Sequence, residues 1–101
     1  MNETKLKGMM GLALRARHAA AGTDTCERLI HSGRCGVLLL DDAVSENTRK
    51  KAETWCRHAG TRMILMPAGM IAEATGRDTM MLAVEQDFSK GFLDDVRDTD
   101  R

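Results

Sequence analysis

The chain is poor in aromatic residues and in proline. Its 101 residues contain no tyrosine, one tryptophan, two phenylalanines and one proline. Proteins that bind single-stranded nucleic acid stack the bases on aromatic side chains, whereas Trp55, Phe88 and Phe92 all fall in apolar helix stripes. A base-stacking surface is therefore not expected, and any binding of RNA has to use backbone amides, basic side chains and shape.

The chain also lacks a disulfide framework. Cys26, Cys35 and Cys56 are odd in number, and the intervals between them of nine and 21 residues match no paired-ligand spacing. We expect these three residues to be reduced and buried as small hydrophobic side chains.

Motifs for catalysis and for nucleotide hydrolysis are absent. There is no G-x-x-x-x-G-K-[ST] sequence, and "GMMG" lies inside a helical pattern. His18, His31 and His58 stand apart from one another and from other metal-ligating residues, so we expect them at the surface or at an edge. Asp41 and Asp42 end an apolar strand, where acidic residues either hold ligands or favour the next helix start. We predict no enzyme, no metal and no cofactor; an enzyme that uses Asp41, Asp42 and a histidine is the alternative with the least support from the sequence.

No apolar run is long enough to span a bilayer. The run from Met63 to Ala72 is short and is interrupted by Pro67. The N-terminus carries charges within its apolar stretch, unlike a signal peptide. We expect a cytoplasmic protein that does not bind membranes.

Charge is balanced in total but unevenly distributed. The chain has 15 basic and 15 acidic residues. Residues 1–84 carry 12 basic against 9 acidic residues, and residues 85–101 carry 3 against 6. The total argues neither for nor against a polyanionic partner, but the body of the chain is mildly basic.

Hydrophobic periodicity predicts alternating helices and strands in a single domain over residues 1–101. Helices are predicted at 3–16, at 24–32 with Gly33 as the C-cap, between the cap Ser45 and the terminating Gly60, at 68–75, and at 87–97 with Val96 in the apolar stripe. Strands are predicted at 18–21, 35–40, 62–66 and 79–85, and a frayed tail at 98–101. The continuous apolar run at 35–40 is typical of a strand covered on both faces. The alternation predicts a three-layer α/β/α sandwich with a mostly parallel sheet of four strands.

Methionine is abundant, with eight residues. Six of them fall on predicted buried faces, where this flexible side chain commonly fills a core: Met9, Met10, Met63, Met66, Met80 and Met81.

The stretch "AAAGTDTCERLIHSG" contains the clearest candidate site. Gly22, between a strand and a helix, allows a close backbone approach, and the free amides of a first helical turn favour an anion. Thr23 and Asp24 can cap the helix, and Arg28 can reach the same side to contact phosphate. The charges of Asp24 and Glu27 oppose an anion, although aspartate can accept from guanine N–H groups. A plain capped helix and an anion-binding helix start therefore stay open as alternatives.

From about residue 5 to residue 92 the sequence resembles the short bacterial branch of the ribosomal protein L-seven-Ae family. The resemblance lies in "SENTRKK" after the apolar strand, Gly76 after the short helix and "DFSKGF" at the last helix, in this order. Members of that family bind kink-turn RNA. The resemblance implies an α/β/α sandwich with a mixed sheet, in which at least one strand is antiparallel, and a binding protein without catalysis. The implied partner is structured RNA, with the ribosome as one candidate setting.

The resemblance also implies a set of RNA-binding residues. The family's G-x-N-E-x-x-K motif reads the sheared G·A pairs of the kink-turn, and a loop before the last strand closes over the bulge. The matching positions here are Gly22, Thr23, Asp24, Thr25 and Arg28 for the motif, and Gly76, Arg77, Asp78 and Thr79 for the loop.

Two motif positions depart from the family pattern. Asp24 replaces the asparagine and Thr25 replaces the glutamate, while Arg28 stands in for the lysine. In the loop, Arg77 is the candidate phosphate contact. The departures leave open an alternative function, that of a protein-interaction module with the same fold that has lost specific RNA recognition.

Overall fold

A computed structural model describes the backbone of residues 2–99 and the side chains as far as Leu93. The described residues form five helices and four strands: α1 (Glu3–Arg15), β1 (Ala19–Ala21), α2 (Thr23–His31), β2 (Cys35–Asp41), α3 (Glu46–Ala59), β3 (Arg62–Met66), α4 (Met70–Thr75), β4 (Met81–Glu85) and α5 (Gln86–Thr99). The predicted order is confirmed, with boundaries that differ from the predicted ones by at most two residues.

The four strands form one mixed sheet in the order β1-β4-β2-β3. β4 runs antiparallel to both of its neighbours, β1 and β2, whereas β2 and β3 are parallel. The expectation of a mostly parallel sheet is wrong, and the mixed sheet that the resemblance implies is confirmed. Because the reversed strand lies inside the sheet and not at an edge, one reversal makes two of the three pairings antiparallel.

Helices cover both faces of the sheet, so the three-layer sandwich is confirmed. Val37 and Leu39 of β2 pack with residues of α1, α4 and α5. Leu38 and Leu40 point the opposite way and pack with residues of α2 and α3. All four side chains are fully buried, as the continuous apolar run predicts for a strand covered on both faces.

Predicted helix ends are confirmed at several positions. Ser45 caps α3, since its hydroxyl accepts from the amide of Thr48 at 3.2 Å. Gly33 and Gly60 have φ angles of 79° and 69° at the ends of α2 and α3, in the left-handed region that glycine adopts most readily.

The end of the chain differs slightly from the prediction. α5 continues to Thr99, which is two residues beyond its predicted end. The side chain of Val96, predicted in the apolar stripe, and residues 100–101 of the predicted frayed tail lie outside the described residues. Within the described part of the chain, no helix has the length and apolar character needed to cross a membrane.

α5 packs closely against β2 at Gly36, where β2 has a bulge between Cys35 and Val37. A Cβ atom at Gly36 would lie 2.7 Å from Cβ of Ser89 and 2.9 Å from Cα of Gln86. Both distances are shorter than carbon atoms tolerate, so the position needs a residue without a side chain.

Asp41 fastens two loops to the end of β2. Its carboxylate is buried and accepts from the amide of Ala43 at 2.7 Å and from the amide of Gly69 at 2.8 Å. One contact holds the turn before α3, and the other holds the loop before α4. Asp41 therefore has a structural role, and the neighbouring Asp42 is exposed.

The three cysteines lie between the sheet and the layer formed by α2 and α3. They are free and buried, as predicted. Burial raises the pKa of Cys26 from 9.0 to about 12 and the pKa values of Cys35 and Cys56 to about 11.

These raised pKa values predict a loss of stability at alkaline pH. Below pH 9 the thiols are protonated in both states, whereas between about 9 and 11 the unfolded chain releases protons that the folded chain retains. We therefore expect the free energy of unfolding to fall over this range, which urea titrations across it will measure. Cys26→Ala should reduce the pH dependence, and an equal decline in the variant and the natural protein would contradict the assignment.

Candidate nucleic-acid interface

The first turn of α2 presents backbone donors without a side-chain cap. Gly22 is the N-cap residue, with φ 94° and ψ 154°, and no side chain caps the helix. The first intrahelical bond runs from the amide of Cys26 to the carbonyl of Gly22 at 3.0 Å. The amides of Thr23, Asp24 and Thr25 have no hydrogen-bond partner among the described residues. The expectation that Thr23 or Asp24 caps α2 is wrong, because both lie within the helix.

A hydrogen bond joins the two segments that the sequence predicts as the site. The amide of Gly22 donates to the hydroxyl of Thr79 at 3.1 Å, and that hydroxyl donates to the carbonyl of Met81 at 3.0 Å. The loop 76–79 therefore lies against the start of α2. Thr79 itself is buried, so its side chain connects the two segments and does not face solvent.

A cleft of about 460 Å³ opens beside this junction. The start of α2, the loop before β4 and the start of α3 form its walls. The lining residues are Gly22, Thr23, Val44, Ser45, Thr48, Asp78, Thr79, Met80 and Met81. The volume lies within the range of sites that hold small molecules or rings.

Asp24 and Arg28 lie outside this cleft. They share a groove on the outer face of α2 with Glu27 and His31, because residues three and four apart lie on one side of a helix. Arg28 is thus next to Asp24 and not in the lining of the cleft, although the first turn of α2 borders both surfaces.

Thr25 and Arg77 line a third depression, alongside β1. The hydroxyl of Thr25 bonds back to the carbonyls of Ala21 and Gly22, so it stabilises the entry to α2. Gly76 ends α4 with a φ of 69° and is exposed. The nine predicted residues therefore surround the start of α2 but occupy several neighbouring surfaces.

Sequence reasoning missed the apolar wall of the cleft. Met80 was expected in the core, but it is 40% exposed and lies outside β4, which begins at Met81, two residues after its predicted start. Of the other five methionines predicted in the core, Met10, Met66 and Met81 are buried, and Met9 and Met63 are partly buried. Val44, in the turn before α3, also lines the cleft. The position of Val44 near Gly22 depends on the order of the strands in the sheet.

The three histidines do not form a metal centre. His18 hydrogen-bonds through Nδ1 to Glu85 at 3.0 Å and stacks on Phe88, with ring centroids 5.4 Å apart. His31 packs against the edge of Trp55. Within the described part of the chain, no three His, Cys, Asp or Glu residues are grouped to hold a metal ion.

Comparison with known proteins supports the fold and assigns no family. No family model and no curated protein matches the chain. Among solved structures, the chain is similar to a protein of unknown function from Bacillus halodurans. The two are 22% identical, with a TM-score of 0.79, over 86% of this chain and 91% of the other. At this level of identity the likeness shows a shared α/β fold.

Proposed function

We propose that this protein is a cytoplasmic, non-catalytic RNA-binding protein that recognises a kink-turn or a similarly bent RNA. The observation that carries the proposal is the uncapped first turn of α2, which is hydrogen-bonded to the loop 76–79 beside an open cleft. The resemblance to the L-seven-Ae family involves the same two segments. The ribosome is one setting in which such RNA occurs.

Backbone amides suit recognition of a folded RNA backbone. The amides of Thr23, Asp24 and Thr25 point out of the helix start without partners among the described residues, where a phosphate oxygen or a base edge can accept from them. The carboxylate of Asp24 can accept from the N–H groups of a guanine. Together these groups offer donors and an acceptor to the paired bases next to a kink.

The cleft suits one unstacked base. Val44 and Met80 provide apolar surface, while Ser45, Thr48 and Asp78 provide polar atoms within the same lining. RNA is most often read at bases that leave the stack, through contact with their faces and hydrogen bonds to their edges. The cleft and the α2 start are adjacent, so one bent RNA can contact both.

The decisive experiment is a titration of labelled kink-turn RNA and of a control RNA lacking the G·A pairs, at low and moderate salt. We expect tighter binding of the kink-turn, and affinity that falls steeply with salt because phosphate contacts release counterions. Equal affinity for both RNAs would refute the specific form of the proposal. Absence of salt-dependent binding would favour the protein-interaction alternative.

Thr23→Pro tests the backbone donors directly. Thr23 is the first residue of α2, a position that favours proline, so the substitution removes one amide donor and leaves the helix intact. We expect kink-turn affinity to fall roughly tenfold, the loss typical of a hydrogen bond to a charged group. Thr23→Ala retains the amide and serves as the matched control. If the two variants bind equally well, the amide is not a contact.

A further inference from the structure

Arg17 adopts a backbone conformation that normally belongs to glycine. Its φ angle is 63°, and it is the one non-glycine residue with positive φ in the described part of the chain. It follows the end of α1, where the amide of Arg17 donates to the carbonyl of Leu14 at 3.1 Å and the amide of His18 donates to that of Ala13 at 2.8 Å. This pair of bonds is a Schellman motif, in which glycine is the usual residue at the position of Arg17.

The side chain of Arg17 makes no contact that would explain its presence there. It is exposed and has no hydrogen bond or ion pair with any residue that the structure describes. A residue held in an unfavourable conformation without a structural partner suggests that its side chain serves a function.

Arg17 lines a depression of about 310 Å³ beside β1, together with Arg77. The side chain of Arg77 is likewise without a partner among the described residues, and it is exposed. The remaining lining consists of Leu14, Thr25 and the three alanines of β1. The depression is thus lined by two arginines and by otherwise uncharged residues.

This depression is the most basic of the three surfaces around the α2 start. Among the residues that the structure describes, no acidic residue lines it, whereas Asp78 lines the cleft and Asp24 and Glu27 line the outer groove of α2. A guanidinium group presents several N–H donors in a plane that matches phosphate oxygens. The pair of arginines is therefore suited to a phosphodiester anion.

We propose that Arg17 and Arg77 form a phosphodiester-binding site for the RNA strand that continues past the start of α2. The inference rests on the proposed function and adds Arg17 as a contact. Thr25 belongs both to the first turn of α2 and to the lining of this depression, so the two surfaces are continuous. Each arginine contacts phosphate oxygens and so contributes to affinity without reading sequence.

Arg17→Gly separates binding from folding. Glycine suits the positive φ angle, so the melting temperature should stay the same or rise. Kink-turn affinity at low salt should fall roughly tenfold, and the slope of log affinity against log salt should become shallower by about 0.9 for one lost phosphate contact. Arg62→Gln is the matched control, because it removes an equal charge at β3, the opposite edge of the sheet. It should bind as the natural protein does.

Arg17→Lys tests whether the positive charge at this position causes the salt dependence of RNA binding. Lysine retains a cation, so the salt slope should stay that of the natural protein. A loss of slope equal to that of Arg17→Gly would overturn the assignment, as would binding by Arg17→Gly equal to that of Arg62→Gln. In either case, the proposed function is retained if the natural protein binds the kink-turn RNA more tightly than the control RNA. If the natural protein does not prefer the kink-turn, the proposed function fails, and this inference fails with it.

Discussion

Gly36→Ala is expected to lower the free energy of unfolding by about 3 kcal/mol or more. The added Cβ would lie 2.9 Å from Cα of Gln86 and 2.7 Å from Cβ of Ser89, so α5 has to move away from β2. Backbone atoms give way less easily than the end of a flexible side chain, which makes the cost large. Urea denaturation followed by circular dichroism measures the change.

Gly8→Ala is the matched control for this experiment. Gly8 lies in the exposed face of α1, and a Cβ there meets no atom of the described residues within 4 Å. Alanine should therefore stabilise the protein by about 0.5–1 kcal/mol through its higher helix propensity. Adding Ser89→Gly to Gly36→Ala removes one of the two clashes and should cost less than the sum of the single changes. A Gly36→Ala protein as stable as the natural one would show that α5 does not pack as described.

Asp41→Ala should cost about 2–4 kcal/mol of stability, because it removes the buried carboxylate that accepts hydrogen bonds from two amides. The carboxylate accepts from Ala43 at 2.7 Å and from Gly69 at 2.8 Å. Asp42→Ala changes the adjacent, exposed carboxylate and should alter stability by less than about 0.5 kcal/mol. Thermal unfolding of the two variants side by side checks the prediction, and equal melting temperatures would contradict the role given to Asp41.

The substitution Asp41→Ala should also disturb the lining of the cleft. The turn that Asp41 holds continues into Val44, whose amide donates to the carbonyl of Asp41 at 3.2 Å, and Val44 and Ser45 line the cleft. We expect RNA affinity to fall in Asp41→Ala even under conditions in which the variant is folded.

The sequence predicts the elements of this fold well because their signals are local. Apolar spacing and glycines at helix ends give the bounds of the helices to within two residues. The apolar run of β2 correctly indicates burial on both faces. The antiparallel direction of β4 does not follow from these local signals, because it depends on the position of β4 between β1 and β2 in the sheet.

The candidate site is predicted in part, the start of α2 from its local residues and the loop 76–79 from the resemblance to the L-seven-Ae family. The start of α2 and the loop 76–79 are recognisable along the chain, and the structure brings them together. The four-residue spacing of Asp24 and Arg28 places them on one side of α2. Their separation from the cleft has no local signal, because three distant segments form the cleft. The exposure of Met80 depends on where β4 begins, and the presence of Arg17 and Arg77 in the lining of one depression depends on how distant segments pack, so neither has a local signal.

The bond between Gly22 and the hydroxyl of Thr79 has a thermodynamic consequence for recognition. It joins the start of α2 and the loop 76–79, the two sides of the proposed RNA-binding surface, before any ligand binds. Little conformational entropy then has to be lost on association, so a modest number of contacts can give useful affinity. Thr79→Val, which keeps the shape but removes the hydroxyl, should leave the surface looser and make the entropy of binding less favourable by calorimetry.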